Sequence, residues 1–358
     1  MDSQDGELIL VINPGSTSTK LALFRGEEKV LAETVSHPVE RLKAFEHLWD
    51  QFDERLNAVL DFLERHQIRL SDLGAVVGRG GLLKPLKGGT YRVSEEMIAD
   101  ARRGVQGEHV SNLGCALADA VAKRAGCPAF VVDPVSVDEF EPLARYSGHP
   151  RIQRRALAHS LSLHAAGRRA AQQLGLEFQR ANFVVAHLGG GISVAPLKGG
   201  RIVDVNDASS DGPFSPERTG GLPLQPFITL CFSGEFDEKA MRRFVMGEGG
   251  LVAYLGTNDA REVERRAASG DEQAREVYEA MAYQIAKEIG AMATVLHGRV
   301  DAVVLTGGLA GSDLLAGWIE ERVRFLGPVL RYPGELEMEA MAEGALRVLR
   351  GREEVLTY

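Results

Sequence analysis

The run Glu7-Leu-Ile-Leu-Val-Ile-Asn-Pro-Gly-Ser-Thr-Ser-Thr-Lys20-Leu-Ala-Leu-Phe24 leaves few folds open to this chain. A short apolar strand (8–12) enters a turn of Asn13, Gly15 and hydroxyl residues, and a second apolar strand (20–25) leaves it. Small side chains at such a turn expose backbone N–H groups. Ser16 and Ser18 add hydroxyl donors and Lys20 a positive charge, a set suited to the oxygens of a transferring phosphoryl group. The G-x-x-x-x-G-K-[ST] spacing of a P-loop is missing, and a strand rather than a helix follows Lys20. A strand–turn–strand phosphate hairpin belongs to a different class of kinase.

The pattern occurs twice. Apolar 183–188 runs into Gly189-Gly-Gly-Ile-Ser193, and 194–197 and 201–205 read as the strands that follow. An echo about 175 residues away predicts two related halves, with the boundary near 180. Domains of 1–180 and 181–358 follow, and 358 residues suffice for two cores and a cleft between them. Helices are expected at 50–66, 94–103, 111–125, 151–175, 273–297 and 337–350, the last able to pack back on the first half. Further strands are expected at 28–34, 73–77, 129–132 and 302–306.

Charge narrows the class of partner. With 41 Lys and Arg against 50 Asp and Glu, the net charge is −9, which argues against a nucleic-acid footprint and against anionic membranes. Cys115, Cys127 and Cys231 are odd in number and lack C-x-x-C spacing, the usage of reduced thiols in a cytoplasmic protein. The start, with Asp2, Asp5 and Glu7 before a short apolar run, does not read as a signal peptide, and no apolar segment is long enough to span a bilayer.

The quoted residues resemble those of the acetokinase family. Asn13-Pro-Gly-Ser-Thr-Ser-Thr-Lys20 fits its signature N-x-G-S-[ST]-S-x-K. The segments 78–85, 187–193, 212–223, 250–259 and 305–308 are similar to the butyrate kinase branch and occur in the family's order. The resemblance implies an α/β fold of two duplicated actin-like (ribonuclease H-like) domains with a nucleotide cleft between them. It implies transfer of the ATP γ-phosphoryl group to the carboxylate of a short-chain fatty acid, reversibly, with ATP/ADP and Mg2+ as cofactors. It also implies a homodimer or larger homo-oligomer.

Site residues follow from the same resemblance. Asn13, Ser16, Ser18 and Lys20 form the first phosphate loop, and His187, Gly189, Gly190 and Gly191 the second. Acetate kinases carry Asn where Gly190 stands, so backbone N–H groups must serve here. Arg218 is implied as the clamp on the equatorial oxygens, and His159, read as lying on a helix beside Arg154 and Arg155, as a donor to the phosphoryl group. Arg79 is a candidate for the substrate carboxylate or for bracing its loop. Asp133, at a strand end, suits a catalytic or Mg2+-orienting carboxylate, with Asp138 as a competitor and a turn cap as the plainer role. His164 reads as structural. Gly307 and Gly308 resemble the adenosine site. Glu335 and Glu337 are both candidates for a Mg2+ water shell, and equally an acidic first helical turn.

The alternatives are a branched-chain (isobutyrate or isovalerate) kinase, a propionate or acetate kinase, and, from another class, a non-catalytic nucleotide-binding protein of the same superfamily. The last needs neither Arg218 nor His159.

Overall fold

The computed structural model describes residues 7–358; Asp2 and Asp5, read above as part of an acidic start, lie outside the described residues. The chain forms two units. Of the described residues, the first comprises 7–138 and 336–358, the second 139–335.

The first unit is built on a six-stranded sheet of β1 (Leu8–Pro14), β2 (Ser18–Arg25), β3 (Glu28–Ser36), β4 (Leu73–Arg79), β5 (Thr90–Arg92) and β6 (Ala129–Val132), in the order β3-β2-β1-β4-β6-β5. The first three strands are an antiparallel meander, and β4 and β6 then add in parallel. β1 is buried along its whole length, as a strand covered on both faces must be, hence its unbroken apolar run. Helix Phe52–Arg65 turns Leu56, Val59, Phe62 and Leu63 inward, and helix Leu113–Ala125 packs on β1, β4 and β6.

The second unit repeats the plan. Its sheet holds β7 (Asn182–Leu188), β8 (Ile192–Lys198), β9 (Arg201–Ile202), β10 (Ala302–Gly307) and β11 (Val329–Pro333), in the order β11-β10-β7-β8-β9. Again three antiparallel strands are followed by two parallel ones. The same strand logic in both units is the duplication that the echo predicts, in the actin-like arrangement that the resemblance implies. Helix Glu272–Val295 starts at Asp271, whose carboxylate accepts from the Ala274 N–H, and supplies Tyr278, Met281, Ile285 and Ile289 to the core.

Two expectations are corrected. The chain passes from the first unit to the second at 138/139, not near 180, because helix Ser160–Leu174 packs on β7 and β10 of the second sheet. The closing helix, Glu337–Leu349, packs on β1, β4 and β6, back on the first half as allowed for above, so the second unit ends at 335 and not at 358. The predicted helix at 151–175 is also shorter. Residues 151–159 are non-helical because Arg154 donates to the Ala144 and Val205 carbonyls and pairs with Asp204. Among the described residues no helix is long and apolar enough to cross a membrane.

Candidate active site

In the first unit the β1–β2 hairpin presents the turn expected to hold phosphate. Asn13 lies opposite Lys20 across the hairpin, so their side chains share one face of the sheet. The turn is closed by the Gly15 N–H donating to the Ser18 carbonyl at 2.7 Å. Ser16 and Thr17 are exposed, while Ser18 and Lys20 are half-buried.

Arg79 ends β4, buried, and its Nη2 stands 3.2 Å from Oε1 of Glu337. The other carboxylate oxygen of Glu337 accepts from Asn13 Nδ2 at 2.8 Å. Of the two candidate glutamates, Glu337 is therefore the one placed beside Asn13 and Arg79; Glu335 is exposed and falls in the second unit. Nη1 of Arg79 is buried and has no hydrogen-bond partner among the described residues. Asp133 follows β6 with φ +39°, a conformation that Asp tolerates better than most residues. Its carboxylate accepts from the Gly89 N–H at 2.7 Å, so part of its capacity serves a loop. Asp138 is half-buried, its N–H donating to the Leu86 carbonyl.

In the second unit the equivalent hairpin pair is His187 opposite Ser193. His159 meets both. Its Nδ1 is 2.9 Å from the fully buried Ser193 hydroxyl, and its ring stacks on His187 with centroids 4.2 Å apart and planes at 21°. His159 precedes helix Ser160–Leu174 as its N-cap residue rather than lying within it. His164, on that helix, is buried edge-on to Phe178 and 3.8 Å from Glu139, a packing role.

Arg218 reaches the same turn from the loop 204–221. Its Nη1 donates to the Ala208 carbonyl at 3.0 Å, and a Cβ on Gly191 would lie 2.5 Å from that nitrogen. Only glycine lets the guanidinium approach so closely. Gly190 carries no such restriction, since a Cβ there would lie 3.6 Å from Glu217, and the Ser215 hydroxyl fixes its carbonyl at 2.6 Å. Gly307 adopts φ +91°, and a Cβ there would lie 2.4 Å from the Leu188 carbonyl oxygen, whereas a Cβ on Gly308 would meet nothing within 4 Å.

The loop carrying Arg218 and the segment leading to His159 are tied together. Arg154 pairs with Asp204 at 2.8 Å and Arg155 with Asp207 at 3.3 Å, and Asp207 also accepts from Ser209. Burial raises Asp204 and Glu288 above the usual carboxylate range and pushes Asp211 up to about 6, against the pull of Arg154. Sequence reasoning missed these anchors, although two arginines ahead of His159 and spaced acids at 204, 207 and 211 were the available signal. It also missed Arg55. That residue lies three after Phe52 and four before Val59, a charge on an otherwise apolar helical face.

Among the described residues no group of three or more His, Cys, Asp or Glu side chains could hold a metal alone. Mg2+ bound through nucleotide phosphates keeps several waters and takes only one or two carboxylates. Glu337 and Asp133 fit that requirement.

A family model, the acetokinase family, matches residues 145–327. The chain is 51% identical over 350 residues to a probable butyrate kinase 2 of Caldanaerobacter subterraneus, covering 98% of this chain and 99% of the relative. It is 47% identical over 351 residues to butyrate kinase 2 of Clostridium acetobutylicum, again covering 98% and 99%. Among solved structures, the acetate kinase of Porphyromonas gingivalis superposes with TM-score 0.80 at 18% identity, covering 96% of this chain and 100% of that one. A propionate kinase of Francisella tularensis gives 0.74 at 19%, covering 94% and 98%. At such identities these two speak for the fold alone.

Proposed function

We propose that this chain, which belongs to the acetokinase family, is a kinase that transfers the γ-phosphoryl group of ATP to the carboxylate of butyrate, giving butyryl phosphate and ADP, reversibly. The relatives named as butyrate kinases, 47–51% identical over almost the whole chain, supply the substrate.

The chemistry suits the residues. A fatty-acid carboxylate, with a pKa near ~4–5 like a side-chain carboxyl, is already ionised at neutral pH, so no strong base is needed. One carboxylate oxygen forms a bond to the γ-phosphorus while the bond from that phosphorus to the β–γ bridging oxygen breaks, and ADP leaves with the electron pair. The obstacle is an anion approaching a polyanion, and catalysis rests on neutralising charge and aligning the transfer.

One observation carries the reading: Arg218 and His159 converge on a single glycine turn, one over Gly191 and the other stacked on His187. An arginine fork and an imidazole donor at a turn of backbone N–H groups are what a planar transferring phosphoryl group requires. A nucleotide-binding protein without catalysis has no use for them. In this reading Asn13, Ser16, Ser18 and Lys20 hold phosphate oxygens. His187 and Gly189 to Gly191 form the second phosphate turn. Gly307 and Gly308 lie against the adenosine. The unpartnered buried Nη1 of Arg79 is a donor suited to a substrate carboxylate oxygen. Glu337, with Asp133 orienting, would hold Mg2+ through water, and the ion would neutralise phosphate charge.

We place the protein in the cytoplasm, in keeping with three free cysteines. Association of copies is supported by an exposed apolar stripe of Leu224, Ile228 and Phe232 along helix Leu224–Cys231.

Hydroxylamine trapping tests the reading. With ATP, Mg2+ and carboxylates from acetate to valerate, branched ones included, butyrate should give the most hydroxamate and R218A essentially none. No hydroxamate with any acid would sink the kinase reading; a maximum at isobutyrate, isovalerate, propionate or acetate would reassign the substrate. Neighbouring chain lengths should overlap, since one methylene is worth only about 1–3 kcal/mol.

A further inference from the structure

Arg55, on helix Phe52–Arg65, is completely buried beneath the Ser16–Ser18 turn. All five of its N–H groups are used. Nε and Nη2 donate to Gln51 Oε1 at 3.1 and 2.9 Å. Nη1 donates to the Ser18 carbonyl at 3.0 Å and to Thr19 Oγ1 at 3.1 Å, and Nη2 to the Ser16 carbonyl at 3.2 Å.

Every one of these acceptors is neutral. Glu54 attracts the guanidinium at longer range, but its own carboxylate is engaged by Arg41 at 3.3 Å. Burial lowers Arg55 to about 10, which still leaves it charged at neutral pH. Thr19 Oγ1, which accepts from Arg55, also lies 2.8 Å from Nε2 of buried His37. Burial and Arg55 lower the pKa of His37, against the pull of Glu54 3.9 Å from its Nδ1. A full positive charge is thus buried among neutral oxygens, an arrangement that usually costs stability.

The geometry of the turn shows a use for it. A trans peptide is planar, with C=O and N–H pointing in opposite directions. Drawing the Ser16 carbonyl inward onto Arg55 therefore turns the Thr17 N–H outward, on the exposed side of the turn with the Ser16 hydroxyl. The outer face becomes a donor surface, and the buried guanidinium behind it adds unscreened positive potential.

We propose that Arg55 is a positioning residue for the nucleotide's phosphates: it sets the Ser16 and Ser18 carbonyls inward and supplies from below the charge that the bound anion answers. The inference rests on the reading that this turn holds phosphate.

The test is Gln51→Glu. It keeps the shape, keeps both acceptor contacts on Arg55, and gives the guanidinium a carboxylate partner. A purely structural arginine would be stabilised or unaffected by that partner. A charge serving the anion would be neutralised. Binding of Mg-ADP measured by calorimetry should weaken about tenfold in Q51E with Tm held or raised, and the KM for butyrate should stay within about twofold. Arg55→Lys, which keeps the charge but loses the fork, should bind Mg-ADP several-fold more weakly; if it fails to fold, Q51E alone decides. Mg-ADP affinity in folded Q51E within about twofold of the native protein overturns the inference. Failure of the native protein itself to bind Mg-ADP would instead refute the phosphate reading.

Discussion

His159 has one ring nitrogen fixed before any substrate arrives. The Ser193 hydroxyl holds Nδ1 and His187 stacks on the ring, so the direction of Nε2 is set by two residues opposite one another in a single hairpin. Ser193→Ala should lower kcat about tenfold with little change in nucleotide KM, and should add nothing in a His159→Ala background. Steady-state kinetics on that double-mutant cycle check it; additive losses would mean that Ser193 acts elsewhere. At this scale the sequence was legible where motif spacing is short-range. Asn13 to Lys20 and His187 to Ser193 occupy hairpin turns, and local chemistry dictates a turn. Arg55 and the pairs Arg154–Asp204 and Arg155–Asp207 escaped notice because, Gln51 apart, their partners lie tens of residues away, so the local signals did not say what each charge would meet.

The loop 204–221 shows what an element gives up to hold Arg218 against the glycine turn. It packs Asp204, Asp207 and Asp211 near Arg154, and Asp211 is left with a buried carboxylate oxygen that has no hydrogen-bond partner among the described residues. Its value near 6 in the folded protein exceeds the ordinary 3.8, so between those pH values the folded state binds more protons than the unfolded one. The stability tied to this group is therefore intact below about pH 4 and is lost as pH rises through about 6. Asp211→Asn should raise Tm by a few degrees at pH 7.5, about the response to ~1 kcal/mol in a chain of this size, and the gain should fade toward pH 4. Thermal melts across that range decide it; a gain that does not change with pH would rule out the carboxylate as its source. The misread of 151–159 belongs to this scale too. Its Arg, Leu and Ala residues favour a helix, and the ion pairs that hold it out of one are tertiary.

Across the whole molecule, the fold was read from a repeat and its boundary was misplaced for the same reason. The echo announces where the second meander begins, but hydrophobic periodicity does not say which sheet a helix will cover. Helices Ser160–Leu174 and Glu337–Leu349 are each apolar on one face, and each covers the sheet of the other half from the one that sequence position suggests. Truncation after Glu335 should consequently damage the first unit, removing buried Leu336, Met341 and Leu346 along with Glu337. At about 1.5–3 kcal/mol per large apolar side chain, the loss rivals the net stability of a domain, about 5–15 kcal/mol. Limited proteolysis should then cut within 7–138 while sparing 139–335; equal resistance of both would contradict the assignment. The return of the chain to its first unit also imposes an order on synthesis. On the ribosome the first sheet must wait for its covering helix while about 200 further residues are made, roughly 10–40 s at ~5–20 residues per second. Because Glu337 arrives with that helix, a nascent chain carries an incomplete set of the proposed site residues until that helix has emerged.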